Sequence, residues 1–166
     1  YTSPHLVHYN ERVRLDGQLA DDASLCAAFA AIDELRGDIS LTYFEFGTLA
    51  ALWLFKRAEL DAVVLEVGLG GRLDAVNVVD ADVAVVTSIG IDHQEYLGNT
   101  RASVATEKAG ILRSGRPVVS GERDLPDTFV QAVERLGCQL VQRDRDFALQ
   151  MQPDGQWTLN GEGGLG

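Results

Sequence analysis

Glu66 ends an apolar run and opens the stretch Glu66-Val67-Gly68-Leu69-Gly70-Gly71-Arg72-Leu73-Asp74. A carboxylate at the end of a strand can hold a cation, and glycines let the backbone come close to a ligand. The same residues would also serve a tight turn with a surface Glu and Asp. Asp92 and His93 close a second run, Thr87-Ser88-Ile89-Gly90-Ile91-Asp92-His93. An Asp-His pair beyond a strand suits a metal ligand or a general base, although a single pair is more often a solvated loop histidine. Glu66 and His93 after consecutive strands strengthen the functional reading, because both side chains would face one crevice. Lys108, in Glu107-Lys108-Ala109-Gly110-Ile111, is one of two lysines in the chain. A lysine in such a site can neutralise phosphate or, as a neutral amine, capture carbon dioxide as a carbamate. Its ordinary alternative is a Glu-Lys surface pair. Lys56 falls on the polar side of a helix, where it is solvated.

Thr42-Tyr43-Phe44-Glu45 has the Thr-x-x-Glu pattern of a capping box. That explanation leaves Tyr43 and Phe44 at a helix entrance, where they could stack on a flat heterocycle. Ser3 could give a hydroxyl to a magnesium shell, while His5 and His8 on a polar segment are weak metal candidates. No Gly-x-x-x-x-Gly-Lys-Ser/Thr phosphate loop occurs, and neither lysine follows a glycine.

The elements that must carry these residues alternate in period. Thr2 to Gly17 reads as polar and irregular. A helix follows, capped by Asp21 and Asp22, with Leu25, Ala28, Phe29, Ile32 and Leu35 on one stripe and Gly37 at its end. A second helix starts near Thr42 and presents Phe46, Leu49, Ala50 and Trp53 to a core. Ala62 to Val67 and Val83 to Thr87 read as buried strands. A helix over Arg101 to Leu112, a strand at Pro117 to Ser120, a helix from about Leu125 to Leu136 and a strand at Cys138 to Gln142 complete the pattern. Alternating strands and helices imply right-handed crossovers and an α/β fold with a mostly parallel sheet flanked by helices. Pro153-Asp154-Gly155 predicts a small C-terminal β-hairpin between Phe147–Gln152 and Gln156–Asn160. The division expected is a catalytic α/β region over residues 1–145 and a peripheral hairpin with a glycine-rich end over 146–166.

The 166 residues carry a formal charge of −11, and 46% are apolar. That composition fits one domain with a real core and argues against a nucleic-acid groove, which needs a basic face. No apolar run is long enough for a membrane span. Cys26 and Cys138 are isolated and lack the spacing of a zinc site or a disulfide framework. A reducing cytoplasm is the expected compartment.

Taken together, the runs beginning at Tyr1, Thr42, Glu66, Thr87 and Glu107 resemble, in order and spacing, the bifunctional dihydrofolate synthase/folylpolyglutamate synthase family of the Mur ligase superfamily. The resemblance spans Tyr1 to Gly121 and fades toward the tail. It implies an ATP-dependent amide ligase that phosphorylates the carboxylate of dihydropteroate or of a folate, so that the amine of L-glutamate can displace phosphate. It implies Ser3, Glu66 and His93 as magnesium ligands and Lys108 as a carbamylated lysine, with Glu66, His93 and Lys108 forming the catalytic set. On donor chemistry alone, a carboxylate with an imidazole leaves manganese open. Thr42, Tyr43, Phe44, Glu45, Leu73, Asp74 and Ala75 match a stretch that lines the pterin pocket. Val76 departs from the pattern, which has a threonine there. The phosphate loop is expected before Tyr1 and a carboxy-terminal ligase domain after Gly166. The chain alone is therefore expected to be inactive and its parent to be a monomer binding small molecules, without nucleic acid or membrane. Two other readings stand beside this one: a Mur-type ligase acting on a cell-wall precursor, and a non-catalytic binding fragment.

Overall fold

The computed structural model describes residues 1–91 and 97–161. The chain divides into a unit of Tyr1–Leu69 with Asp74–Val78 and a unit of Gly70–Leu73 with Val79–Gly166.

The first unit is built on two packed helices, α1 (Asp22–Arg36) and α2 (Tyr43–Arg57). Each starts where a side chain satisfies an orphan backbone donor. Asp21 accepts from Ser24 N at 2.6 Å, and Thr42 accepts from Glu45 N at 3.2 Å. Glu45 completes the predicted box by accepting from Thr42 N at 2.7 Å. Leu25, Ala28 and Ile32 of α1 meet Ala50, Ala51, Leu54 and Phe55 of α2 in the core, with Val13 and Val76 joining from the flanks. Full burial of Leu54 and Phe55 stabilises by roughly 1.5–3 kcal/mol each. Leu35 falls on the predicted stripe but is 76% exposed, because the last turn of α1 runs past the packing surface. Leu49 is also exposed, and the buried side of α2 turns instead through Gly47, Thr48, Ala51, Leu54 and Phe55. The segment predicted as irregular contains a 3-10 turn, Tyr9–Arg12, and a minimal antiparallel hairpin, β1 (Arg14–Leu15) with β2 (Gln18–Leu19).

Ala62 to Val67 corrects the reading as a buried strand. The run forms no sheet strand, and Val64 is 81% exposed. Its apolar composition suits a strand, but a strand needs a ladder. Among the described residues the backbone of this run pairs only with Tyr1: Tyr1 N donates to Val64 O at 2.8 Å and Glu66 N to Tyr1 O at 3.0 Å.

The second unit holds the parallel sheet. Its strands β3 (Ala84–Val86), β4 (Pro117–Ser120) and β5 (Gln139–Gln142) lie in sequence order, with Ala84 opposite Val118 and Val118 opposite Leu140. The crossovers are α3 (Arg101–Ala109) and α4 (Asp127–Leu136), which pack on each other. Helix α3 stops at Ala109, short of the predicted Leu112. Ala84, Val86, Val118 and Ser120 are buried, whereas Val85 is 59% exposed. A run apolar on both faces predicts cover on both, but β3 alternates buried, exposed, buried. The predicted hairpin is present as β6 (Phe147–Met151) with β7 (Trp157–Gly161), antiparallel around Pro153 to Gly155. Among the described residues, no helix is long and apolar enough to cross a membrane.

Candidate functional site

In the first unit the chain folds back so that Thr2 and Ser3 lie beside Glu66. The Thr2 hydroxyl and the Ser3 backbone N–H, the latter at 3.2 Å, both donate to Oε2 of Glu66. A carboxylate and the Ser3 residue are thus neighbours, on an exposed edge. These are hard oxygen donors, the chemistry that magnesium and manganese accept. Among the described residues, no group of three or more His, Cys, Asp or Glu stands together as a ready-made metal cage.

The loop after Ser3 is held by one acid. Glu11 accepts from three successive backbone donors, Leu6 N at 2.7 Å, Val7 N at 2.9 Å and His8 N at 2.7 Å. Those bonds, that from His8 first, bring the Glu11 carboxyl down from 4.5 to about 2. Bonds to the charged form favour that form. A depressed carboxylate adds stability above its unfolded value and loses it as pH falls through the folded value. The melting temperature of the native protein should therefore fall between pH 4.5 and pH 2 in part through Glu11. Glu11→Gln should lower the melting temperature at pH 7, and its deficit should shrink across that window in circular-dichroism melts. A deficit that stays constant from pH 7 to pH 2 would rule out this role.

Beside the loop lies an open cleft of about 370 Å³. Ser3, Pro4 and Arg12 form one side, and Tyr43 and Phe44 at the start of α2 form another. Gly68, Leu69 and Asp74 close it. Asp74 organises its own loop, since Oδ2 accepts from Gly68 N and Leu69 N, both at 2.9 Å, and Oδ1 accepts from Val76 N at 3.0 Å. Tyr43 is 64% exposed and presents its ring edge-on to Tyr9. Burial, then the neighbouring Tyr1 and Tyr43, push the Tyr9 hydroxyl up to about 12, so it stays protonated.

In the second unit the segment Gly70–Leu73 is fastened to the end of α3. Arg72 N donates to Glu107 O at 2.9 Å, and the Arg72 side chain reaches Glu107 Oε1 at 3.0 and 3.2 Å. Gly71 has φ 152°, and a Cβ there would stand 2.8 Å from Glu107 O and 3.3 Å from Lys108 Cα. The half-buried Lys108 is thereby fixed directly against the glycine segment. Ile89, in the loop that leads toward Asp92, is gripped at both backbone groups. Its N–H donates to Glu122 Oε2 and its carbonyl accepts from Arg101 Nε, both at 3.0 Å.

The Mur ligase middle-domain model matches residues 25–142. The chain belongs to the Mur ligase middle-domain family. Within it, the chain is 54% identical over 160 residues to the dihydrofolate synthase/folylpolyglutamate synthase of Escherichia coli, covering 96% of this chain and 38% of that protein. It is 37% identical to the folylpolyglutamate synthase of Lacticaseibacillus casei, over 90% of this chain and 37% of the relative. The structure superposes on E. coli FolC in complex with DHPP and ADP with a TM-score of 0.93, at 53% identity, covering 99% of this chain and 39% of that one. The Yersinia pestis bifunctional enzyme, complexed with AMPPNP and Mn ion, gives 0.90 at 52% identity, over 99% of this chain and 40% of that one. The chain thus spans about two fifths of the length of these relatives.

For a Mur ligase middle domain, the residues singled out in the sequence fall into three groups. Tyr43, Phe44 and Asp74 line the cleft, and Ser3, which also lines it, adjoins Glu66. Thr42 and Glu45 serve the helix cap, Leu73 is exposed, and Ala75 begins a 3-10 turn, Ala75–Val78. Lys108 stands in the second unit, and His93 lies outside the described residues. Thr2 entered the sequence reading only as part of the run beginning at Tyr1, and Arg12 carried no sequence signal. Each sits in a polar stretch, and only the fold shows that one serves Glu66 and the other is buried beside the cleft.

Proposed function

We propose that the protein containing this chain is an ATP-dependent carbon–nitrogen ligase that adds L-glutamate to dihydropteroate, to folylpolyglutamate, or to both, through an acyl phosphate. The observation that carries this reading is the 54% identity to the E. coli enzyme over 96% of the chain. The cleft supports it: aromatic side chains and Asp74 suit a flat, hydrogen-bonding heterocycle. Thr42, Glu45, Leu73 and Ala75 would frame that pocket from its border. Ser3 and Glu66, with His93 and carbamylated Lys108, would hold the divalent ion, magnesium by preference. When bound, such an ion supplies neutralisation of phosphoryl oxygens. Thr2 orients the Glu66 carboxylate, and the Arg72–Glu107 bonds fix Lys108. The enzyme would work as a monomer in the cytoplasm on ATP, L-glutamate and the pteroate or folate, and its charge of −11 disfavours nucleic acid.

The test is coupled ATP hydrolysis with dihydropteroate, glutamate and magnesium, run on this chain and on the full-length protein. Glutamate- and dihydropteroate-dependent turnover is expected in the full-length protein and not in the chain alone. A folded full-length protein that turns over a muramyl precursor and not dihydropteroate would overturn the assignment in favour of a cell-wall ligase.

A further inference from the structure

Arg12 is placed where charged side chains are rarely found without a partner. It is 8% exposed, yet among the described residues no carboxylate pairs with it. Its Nε donates to His5 Nδ1 at 2.7 Å, and its guanidinium carbon lies 5.6 Å from the Tyr9 ring centre and 5.4 Å from that of Tyr43. Cation–π contact of this kind contributes about 0.5–2 kcal/mol, less than the several kcal/mol that burial of an ion costs. A guanidinium carries five N–H donors in a fixed fork. The Nε donor is used, and the Nη donors find no acceptor among the described residues, while Arg12 lines the cleft with Tyr43, Phe44 and Asp74.

Asp74 offers the opposite polarity in the same cleft. Its carboxylate accepts from Gly68, Leu69 and Val76. A carboxylate has about four lone-pair sites, so one remains for a ligand donor. The cleft therefore combines a donor fork, an acceptor and aromatic walls, and the charges of Arg12 and Asp74 cancel. A ligand carboxylate would face Asp74, and Glu66 beside Ser3, with like charge.

We propose that Arg12 is a recognition residue of this cleft, donating from its Nη atoms to the oxo and ring-nitrogen edge of a flat, uncharged heterocycle. The proposal rests on the pteroate reading and adds to it, because a pterin ring offers both that acceptor edge and an amino donor. Arg12 then selects the ring and takes no part in phosphoryl transfer.

The experiment uses the full-length protein with Arg12→Lys, which keeps the charge and loses the planar fork, and Arg12→Met, which keeps the apolar stem. Steady-state ligation is measured together with binding of two probes, pterin (a ring without a carboxylate) and p-aminobenzoyl-glutamate (carboxylates without the ring). The KM for dihydropteroate should rise about tenfold in both variants, with kcat and the KM for ATP within about twofold. Pterin binding should weaken by a similar factor, and p-aminobenzoyl-glutamate binding should not change. If Arg12→Met fails to fold, Arg12→Lys decides alone. An unchanged KM for dihydropteroate, or a loss that follows p-aminobenzoyl-glutamate instead of pterin, overturns the proposal. A wild-type protein that binds neither dihydropteroate nor pterin sinks the pteroate reading itself, a result distinct from active wild type with indifferent Arg12 variants.

Discussion

Glu66→Gln should reduce ligation by the full-length protein about 100- to 1000-fold while leaving its melting temperature nearly unchanged. The two halves of this expectation come from different properties of one side chain. Glutamine keeps the length of glutamate and an acceptor oxygen, so the Thr2 hydroxyl and the Ser3 N–H retain a partner. Glu66 is exposed, and the native bonds to it close a surface loop, so its charge adds little to the fold. What the substitution removes is the anionic oxygen that a hard divalent ion requires. Neutralisation of phosphoryl oxygens by such an ion contributes several kcal/mol to the transition state, and each 1.36 kcal/mol is about a tenfold change in rate. The measurement is kcat/KM at rising magnesium and manganese, beside a thermal melt. Partial recovery at high metal would mark Glu66 as a ligand. Activity within about threefold of wild type would remove Glu66 from the metal site.

Much of this arrangement is legible in the sequence, and the failures share a physical origin. Features set by neighbours along the chain read correctly. The Thr42–Glu45 box and the Asp21 cap are bonds across three residues, and Pro117 to Ser120 is a strand between clear turn signals. The hairpin turn at Pro153 to Gly155 is equally local. Features set by distant partners do not read correctly. Ala62 to Val67 has the composition of a strand, but strand identity needs a ladder, and among the described residues the only backbone bonds to it come from Tyr1, more than sixty residues away. Val85 and Leu35 follow apolar patterns that the packing leaves uncovered. The candidate site divides in the same way. Glu66, Asp74 and Lys108 announce themselves by glycines and charge in short runs. Thr2 and Arg12 matter through contacts spanning 64 and 31 positions respectively, Thr2 to Glu66 and Arg12 to Tyr43, which no local pattern encodes.

Gly110→Ala is expected to destabilise the protein by about 3 kcal/mol, the upper end of the usual range for overpacking. The reason lies in what a single methyl would meet. A Cβ on Gly110 would stand 2.3 Å from Arg72 Cβ and 2.5 Å from Arg72 Cα. Neither atom can swing aside as a side-chain tip would. Moving Arg72 would break its backbone bond to Glu107 O and its side-chain pair with Glu107 Oε1. The alternative is to unwind the end of α3, where Gly110 N caps Glu107 O and Lys108 O. Either response displaces the segment against which Lys108 is held, so activity of the full-length protein should fall along with stability. At about 2–4 °C per kcal/mol for a chain of this size, the melting temperature should drop by about 6–12 °C. Gly90→Ala is the control, since among the described residues a Cβ there meets nothing within 4 Å and the backbone does not require glycine. It should melt at or slightly above the wild-type temperature through reduced freedom of the unfolded chain. Equal melting of the two variants would mean that the close approach of Arg72 to Gly110 does not hold in solution, and with it the fastening of the glycine segment to Lys108.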